Sequence, residues 1–148
     1  MKNTILVAVN KSIMSQAVIN YLINIGFNPE NVEITLLHIF RKPSSEEELM
    51  GKKFSRERLI KMKGFLEQTR KKLIDNGFLE NQTRIKIITE QYSSVTEAII
   101  DQFKKNHYNM IMIGRKKMAR SEEFVLGDIS IKLVRALDET AIVVVKSK

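Results

Sequence analysis

Gly114 directly follows a short apolar run and Gly127 opens an apolar-periodic one, with Arg115, Lys116, Lys117 and Arg120 between them. Glycine lets a backbone approach a phosphate closely, cations neutralise it, and a helix N-terminus offers free amides to an anion. The pattern suits a phosphate-bearing ligand. It also suits turn glycines beside a solvated basic loop, and both readings stand at this level. Other chemistries find less support. His38 sits in an apolar run and His107 in a polar one, neither spaced with carboxylates as metal ligands would be, so both read as structural. Glu46-Glu47-Glu48 lacks the spacing of a calcium loop, and no serine sits in a nucleophile elbow. The chain has 0 cysteines, which excludes disulfides, thiolate metal sites and a cysteine nucleophile. Neither dedicated catalysis nor a metal site is expected.

The elements that must position Gly114 and Gly127 can be read from apolar periodicity. Ile5-Leu6-Val7-Ala8-Val9 is a continuous apolar run, as in a strand buried on both faces. Ser12 can cap a helix with Met14, Ala17, Val18, Tyr21, Leu22 and Ile25 on one face, ended by Gly26. A second strand spans Val32 to Phe40. Arg41 to Gly51, with Pro43 and three glutamates, reads as a mobile surface loop. A long helix follows from Lys52 to Asn76 with Leu59, Met62, Leu66 and Leu73 inward, ended by Gly77. Arg84 to Glu90 forms a third strand. Ser94 and Glu97 make a capping box for a helix carrying Ala98, Ile99 and Phe103. A fourth strand, Asn109 to Ile113, ends at Gly114. A last helix runs through Leu133, Val134 and Leu137, and Ala141 to Val145 closes the chain as a fifth strand. Strands alternating with helices imply right-handed crossovers and a parallel sheet covered on both faces. In such a sheet ligands bind beyond the carboxyl ends of the strands, where strand order reverses.

The totals bound the rest. At 148 residues, with no internal repeat or linker, the chain is expected to be one domain spanning 1–148. No run of about 18 apolar residues could span a bilayer, so no membrane partner is expected. The N-terminus shows no small-residue cleavage site, and absent cysteines are compatible with a reducing cytoplasm, where the protein is expected to act. The net charge of +8 favours anionic partners. Between Arg41 and Lys72 eleven basic residues face five acidic ones, mostly on the long helix, where they read as a solvated face. No helix-turn-helix, zinc finger or aromatic-studded strand accompanies this charge, so nucleic acid is not the expected partner.

Several stretches resemble the universal stress protein family. Ile5-Leu6-Val7-Ala8-Val9-Asn10-Lys11-Ser12 is similar to its first strand and turn, and Leu36-Leu37-His38-Ile39 to its second strand. Met112-Ile113-Gly114-Arg115, Glu123-Phe124-Val125-Leu126-Gly127 and Ile142-Val143-Val144-Val145 resemble its C-terminal half. The resemblance implies strand order 3-2-1-4-5 and an adenine nucleotide alpha hydrolase-like fold. It also implies pairing of two copies through the edge strand Ala141 to Val145. ATP-binding members carry Gly-x2-Gly-x9-Gly-Ser/Thr before the last helix. Here Gly114 and Gly127 keep the first and third glycines, whereas Lys117 and Asp128 replace the second glycine and the hydroxyl residue. Asn10 stands where the family has an aspartate that meets the nucleoside. By the same matching Ile39 and Ile113 would be the apolar walls of the adenine and ribose pocket, Ala8 and Val9 would also belong to the binding site, and Arg115, Lys117 and Ser130 would remain for phosphate. Lys117 puts a side chain where backbone should approach, though it can also neutralise phosphate. Asp128 is a favourable helix cap that would occupy the amides phosphate needs. The resemblance therefore implies a stress-response binding protein, dimeric, with a reduced or lost nucleotide cleft. The alternative is an ATP- or AMP-binding switch, with magnesium and at most slow hydrolysis.

Overall fold

The computed structural model of the chain describes residues 2–9, 13–40, 49, 51–116 and 129–147. Its elements in order are β1 (Asn3–Ala8), α1 (Ile13–Asn24), β2 (Val32–Ile39), α2 (Gly51–Asp75), β3 (Thr83–Ile88), α3 (Val95–Lys105), β4 (Met110–Lys116), α4 (Ile129–Ala136) and β5 (Ala141–Ser147). The five strands form one sheet in the order β3-β2-β1-β4-β5, parallel at every pairing. The order implied by the family resemblance is the order observed.

Two apolar layers explain why the central strands are continuous hydrophobic runs. Ile5 and Val7 of β1, with Val9 just after it, face the side covered by α1 and α2, where they meet Val18, Leu22, Leu66 and Leu73. Leu6 and Ala8 face the other side, where Ile99 of α3 and Leu133 of α4 close over them. The period of two along each strand sends alternate residues to opposite cores. Gly26 and Gly77, at φ 85° and 104°, follow α1 and α2 in the left-handed conformation that ends helices.

Some boundaries and faces differ from the sequence reading. Tyr21 and Ile25 were placed on the inner stripe of α1 but are each 42% exposed, and Ile19 is buried instead. The reason is that α1 ends at Asn24 and lies across β4 and β5, which turns Val18, Ile19 and Leu22 inward. Val134 is likewise 63% exposed, because the short α4 touches its neighbours along one side only, through Leu133. Strand β4 does not end at Gly114. It continues through Arg115 and Lys116, since β5 extends to Ser147 and supplies partners for them. The capping box is half formed: the Ser94 hydroxyl accepts from the Glu97 amide at 3.1 Å, but the Glu97 carboxylate takes the Ser93 hydroxyl. Ser12, the side chain of Met14 and most of the 41–50 segment lie outside the described residues. No helix among the described residues is long and apolar enough to cross a membrane.

Asn109 clasps the amino-terminal edge of the sheet. Its side-chain oxygen accepts from the Thr4 amide at 2.9 Å and the Thr4 hydroxyl at 3.1 Å. Its carbonyl accepts from the Ala141 amide at 2.9 Å, so one residue joins the starts of β1, β4 and β5. The loop between α2 and β3 is held by Arg70, which donates to the carbonyls of Thr83 and Glu80 at 2.6 and 2.8 Å.

Gln102 departs from the pattern of satisfied polar atoms among the described residues. Gln102 on α3 is 1% exposed, and neither its amide oxygen nor its nitrogen meets a partner among the described residues. An unpaired buried amide costs about 1–3 kcal/mol. Gln102→Met, which keeps the length and removes the polar atoms, should therefore stabilise the fold by about 1 kcal/mol in urea unfolding. A loss of stability would show that the amide is satisfied in solution.

Candidate functional site

The sheet opens where its two halves part. The β1–β2 ladder runs to Ala8 and Leu37, and β4–β5 runs on to Lys116 and Ser147. Between them the β1–β4 ladder stops at Val7 and Met112. Strand order reverses at this pair, since β2 follows on one side of β1 and β4 lies on the other. A crevice at the carboxyl ends of β1 and β4 follows from that topology.

Alternation decides which candidate residues share a face of it. Ala8, Ile39 and Ile113 all belong to the core beneath α3 and α4, and Ala8 and Ile39 are only partly buried. Arg115, two residues beyond Ile113, lies on the same face and is half-buried rather than solvated. Ser130, in the first turn of α4 on this side, is 8% exposed. The structure thus brings Ala8, Ile39, Ile113, Arg115 and Ser130 to one side of the sheet. Val9 faces the opposite core, and Gly114 pairs with Val145 within the sheet. Asn10, Lys117, Gly127 and Asp128 lie outside the described residues, as do Lys11 and Arg120.

The sequence reads His38 as structural, and the structure supplies the contact. Its Nδ1 lies 2.8 Å from the Val9 carbonyl. A carbonyl can only accept, so Nδ1 carries the proton and, in the neutral ring, Nε2 keeps its lone pair. The bond fixes the residue that follows β1 against β2, next to the crevice, where the Val9 amide also donates to the Leu37 carbonyl at 2.8 Å. Phe40 stacks edge-on against the imidazole at 6.1 Å, and Arg58 of α2 covers Phe40 at 5.1 Å. No residue pattern displays a partner that is a backbone carbonyl, so the identity of that contact was not legible in the sequence.

A cavity of about 210 Å³ lies elsewhere, between α1 and α2, walled by Gln16, Asn20, Gln68 and Lys72 over Val9 and Phe65. It is on the opposite face from Ala8, Ile39 and Ile113, and Lys72 there is already engaged, donating to Asn20 at 2.9 Å. Geometry at the strand ends, rather than void size, identifies the crevice.

This arrangement is that of an open α/β sheet with its switch point between β1 and β4, the adenine nucleotide alpha hydrolase-like class. The universal stress protein family model matches residues 1–145, and the chain belongs to that family. No curated protein matches the sequence. Among solved structures, hypothetical protein MJ0577 is similar with a TM-score of 0.74 and 18% identity, covering 100% of this chain and 98% of its own. A universal stress protein family protein from Arabidopsis thaliana, with AMP bound, gives 0.64 at 16% identity over 99% and 92% of the two chains. The universal stress protein from Archaeoglobus fulgidus in complex with dAMP gives 0.62 at 15% identity over 97% and 98%.

At the rim, the segment after β3 carries a second polar group of residues. The Tyr92 hydroxyl donates to Asp101 at 2.5 Å and lies 3.3 Å from Glu90, while Lys105 pairs with Asp101 at 3.2 Å. The hydrogen bond to Asp101, then burial, pushes the Tyr92 pKa from 10.0 to about 12. The same bond, helped by Lys105, holds Asp101 below its ordinary value. These contacts tie the loop to α3. Raised in the folded state, Tyr92 lends stability that is complete below pH 10.0 and lost as pH rises toward about 12. Asp101, lowered, lends stability that is present above the ordinary carboxylate range and lost as pH falls below it. Ultraviolet titration should find one of the 3 tyrosines ionising near pH 12, and Asp101→Asn should bring it back toward 10.0. Three ordinary phenols in the native protein would contradict the bond.

Proposed function

We propose that this is a stress-response binding protein of one domain, residues 1–148, acting in the cytoplasm as a homodimer with a nucleotide crevice reduced in its phosphate half. The observation that carries it is the parting of β1 and β4 beyond Val7 and Met112, with Ala8, Ile39 and Ile113 on one face of the gap. Partly exposed aliphatic side chains at a switch point suit an adenine and its ribose. Relatives holding AMP and dAMP support the same end of the ligand. In our reading Val9, Gly114, Arg115 and Ser130 edge the crevice, and Asn10 offers the ribose less acceptor capacity than aspartate would. Lys117 and Asp128 replace the family's phosphate-cradling residues beside Gly127, so a triphosphate should gain little there. We assign the protein no catalytic role.

A second reading is a nucleotide switch with at most slow hydrolysis, in which Arg115 and Lys117 neutralise the phosphates in place of the lost contacts. The AMP-bound relative favours it. Titration calorimetry separates the two. We expect AMP and MgATP to bind the native protein with similar, weak affinity. Lys117→Gly with Asp128→Ser, which rebuilds the family's loop, should tighten MgATP about tenfold to a hundredfold, since a charge-assisted hydrogen bond contributes about 1.5–3 kcal/mol. Native MgATP binding in the low micromolar range would establish the switch instead. If neither protein binds a nucleotide, the crevice is lost altogether.

For the dimer, the support is the open edge of β5. Ile142, Val143, Val144 and Val145 are all half-buried in the single chain, and Ile131 and Val134 on the adjoining α4 are 50% and 63% exposed. Apolar edges of this kind pair with a second copy about a two-fold axis. The Ala141 amide points to Asn109, so by alternation the amides of Ile142 and Val144 face outward. Val144→Pro removes one outward donor and leaves the β4 ladder intact. Sedimentation should show a dimer at micromolar concentration for the native chain and a monomer for Val144→Pro. A monomeric native chain would overturn the pairing.

A further inference from the structure

Helix α2 carries nine basic and three acidic side chains, a net +6 out of the chain's +8. The fold uses some of these cations. Arg70 holds the Thr83 and Glu80 carbonyls, Lys72 holds Asn20, and Arg58 covers Phe40. The rest lie on the outer face. With Leu66, Thr69 and Leu73 buried, a turn of 3.6 residues carries Lys53, Ile60, Gly64 and Lys71 to the side away from the sheet. Arg56 and Lys63 flank Ile60 at one turn before and after it, and all these cations are exposed. Glu57 and Glu67 lie on the same face, yet among the described residues neither is within ion-pair distance of a cation.

Three features of this face have no account in the fold. Ile60 is 68% exposed, at the centre of a cationic surface. Gly64, four residues on and directly alongside it, has φ in the ordinary range, and a Cβ there would meet nothing within 4 Å. Glycine in an exposed helix interior weakens the helix, and neither packing nor backbone conformation demands it here. Lys52, Lys53 and Arg56 lie in the first turns with no acidic residue in the first turn, where the helix dipole disfavours positive charge. Local rules broken together on one exposed face, with no compensation among the described residues, mark a surface selected for contact.

We propose that the outer face of α2 around Ile60 and Gly64 docks an acidic amphipathic helix of a partner protein. Ile60 and Gly64, spaced i and i+4, make a knob beside a notch. Ridges in one helix pack into such grooves in another, and a small residue lets the two backbones come close. Lys53, Arg56, Lys63 and Lys71 surround the pair and call for carboxylates on the partner's flanks, which would steer and orient it. A second copy of this chain does not fit, because it would set the same cations against themselves. A phosphate backbone would leave the isoleucine unused, and a lipid surface would leave the glycine notch unused.

The test uses the full chain and a synthetic helical peptide of about 20 residues, roughly 30 Å long, built from Glu and Ala with a leucine stripe along one face. Controls are a Glu–Ala peptide of equal charge without leucine, phosphatidylserine vesicles, and duplex DNA. The striped peptide should bind about tenfold tighter than the unstriped one. Ile60→Ser should remove that difference. Gly64→Ala should raise the melting temperature yet weaken the striped peptide, an opposition that a purely structural glycine would not produce. Equal binding of both peptides, indifferent to Ile60→Ser and Gly64→Ala, would reduce the face to a polyelectrolyte surface and overturn the proposal. Tighter binding to vesicles or DNA than to the striped peptide would overturn it in favour of that other partner.

Discussion

The pairing of β1 with β4 is the constraint on which the rest of the molecule depends. It is the shortest ladder in the sheet, joining Ile5, Leu6 and Val7 to Met110, Ile111 and Met112, yet it alone unites the β3-β2-β1 half with the β4-β5 half. All six of these side chains except Met110 are fully buried, so the pairing is secured by apolar layers on both faces as well as by backbone hydrogen bonds. Asn109 closes it at one end, binding Thr4 and Ala141 together. At the other end nothing in the ladder continues. The same short register that holds the halves together therefore leaves an opening at the carboxyl ends of the strands, and the crevice is a direct consequence of how the sheet is assembled.

Polar contacts around that opening favour rigidity over chemistry. His38 spends its Nδ1 proton on the Val9 carbonyl, and Tyr92, Asp101 and Lys105 satisfy one another at the rim. A binding site benefits from such fixed walls, because the cost of ordering them is met in folding rather than in ligand capture. Charge is handled differently. Most of the excess positive charge sits on α2, the helix that covers the far core and contributes no candidate residue to the crevice. The basic surface and the crevice are thus carried by different faces of this fold.

Membership of the universal stress protein family does not by itself say how much of the family's ligand chemistry survives. The solved relatives share 18% identity or less with the chain, a level at which the fold persists while loops and site residues are free to change. The changed positions, Asn10, Lys117 and Asp128, are all polar. Ala8, Ile39 and Ile113, the proposed walls, are also core residues held by packing.

How much of this was legible in the sequence differs by kind of feature. Each strand and helix announced itself through local periodicity, because burial on two faces demands continuous apolar runs and burial on one demands a stripe. Glycines at Gly26 and Gly77 marked helix ends for the same local reason, a backbone conformation other residues avoid. The strand order and the candidate walls became legible through family resemblance rather than through periodicity, which is blind to which strands are neighbours. What local pattern could not reach was anything set by a partner distant in the chain. Strand β4 runs past Gly114 because β5 offers Val145, Lys146 and Ser147 to pair with it. Tyr21 and Ile25 are exposed because α1 lies against β4 and β5, a contact no helical stripe records. His38 gained its role from the carbonyl of Val9, 29 residues away. The sequence by itself determined the elements and the layered fold, since these follow from the chemistry of neighbouring side chains. Only the tertiary structure decided where the sheet parts and which residues face one another across it, since those depend on contacts between segments that share no local signal.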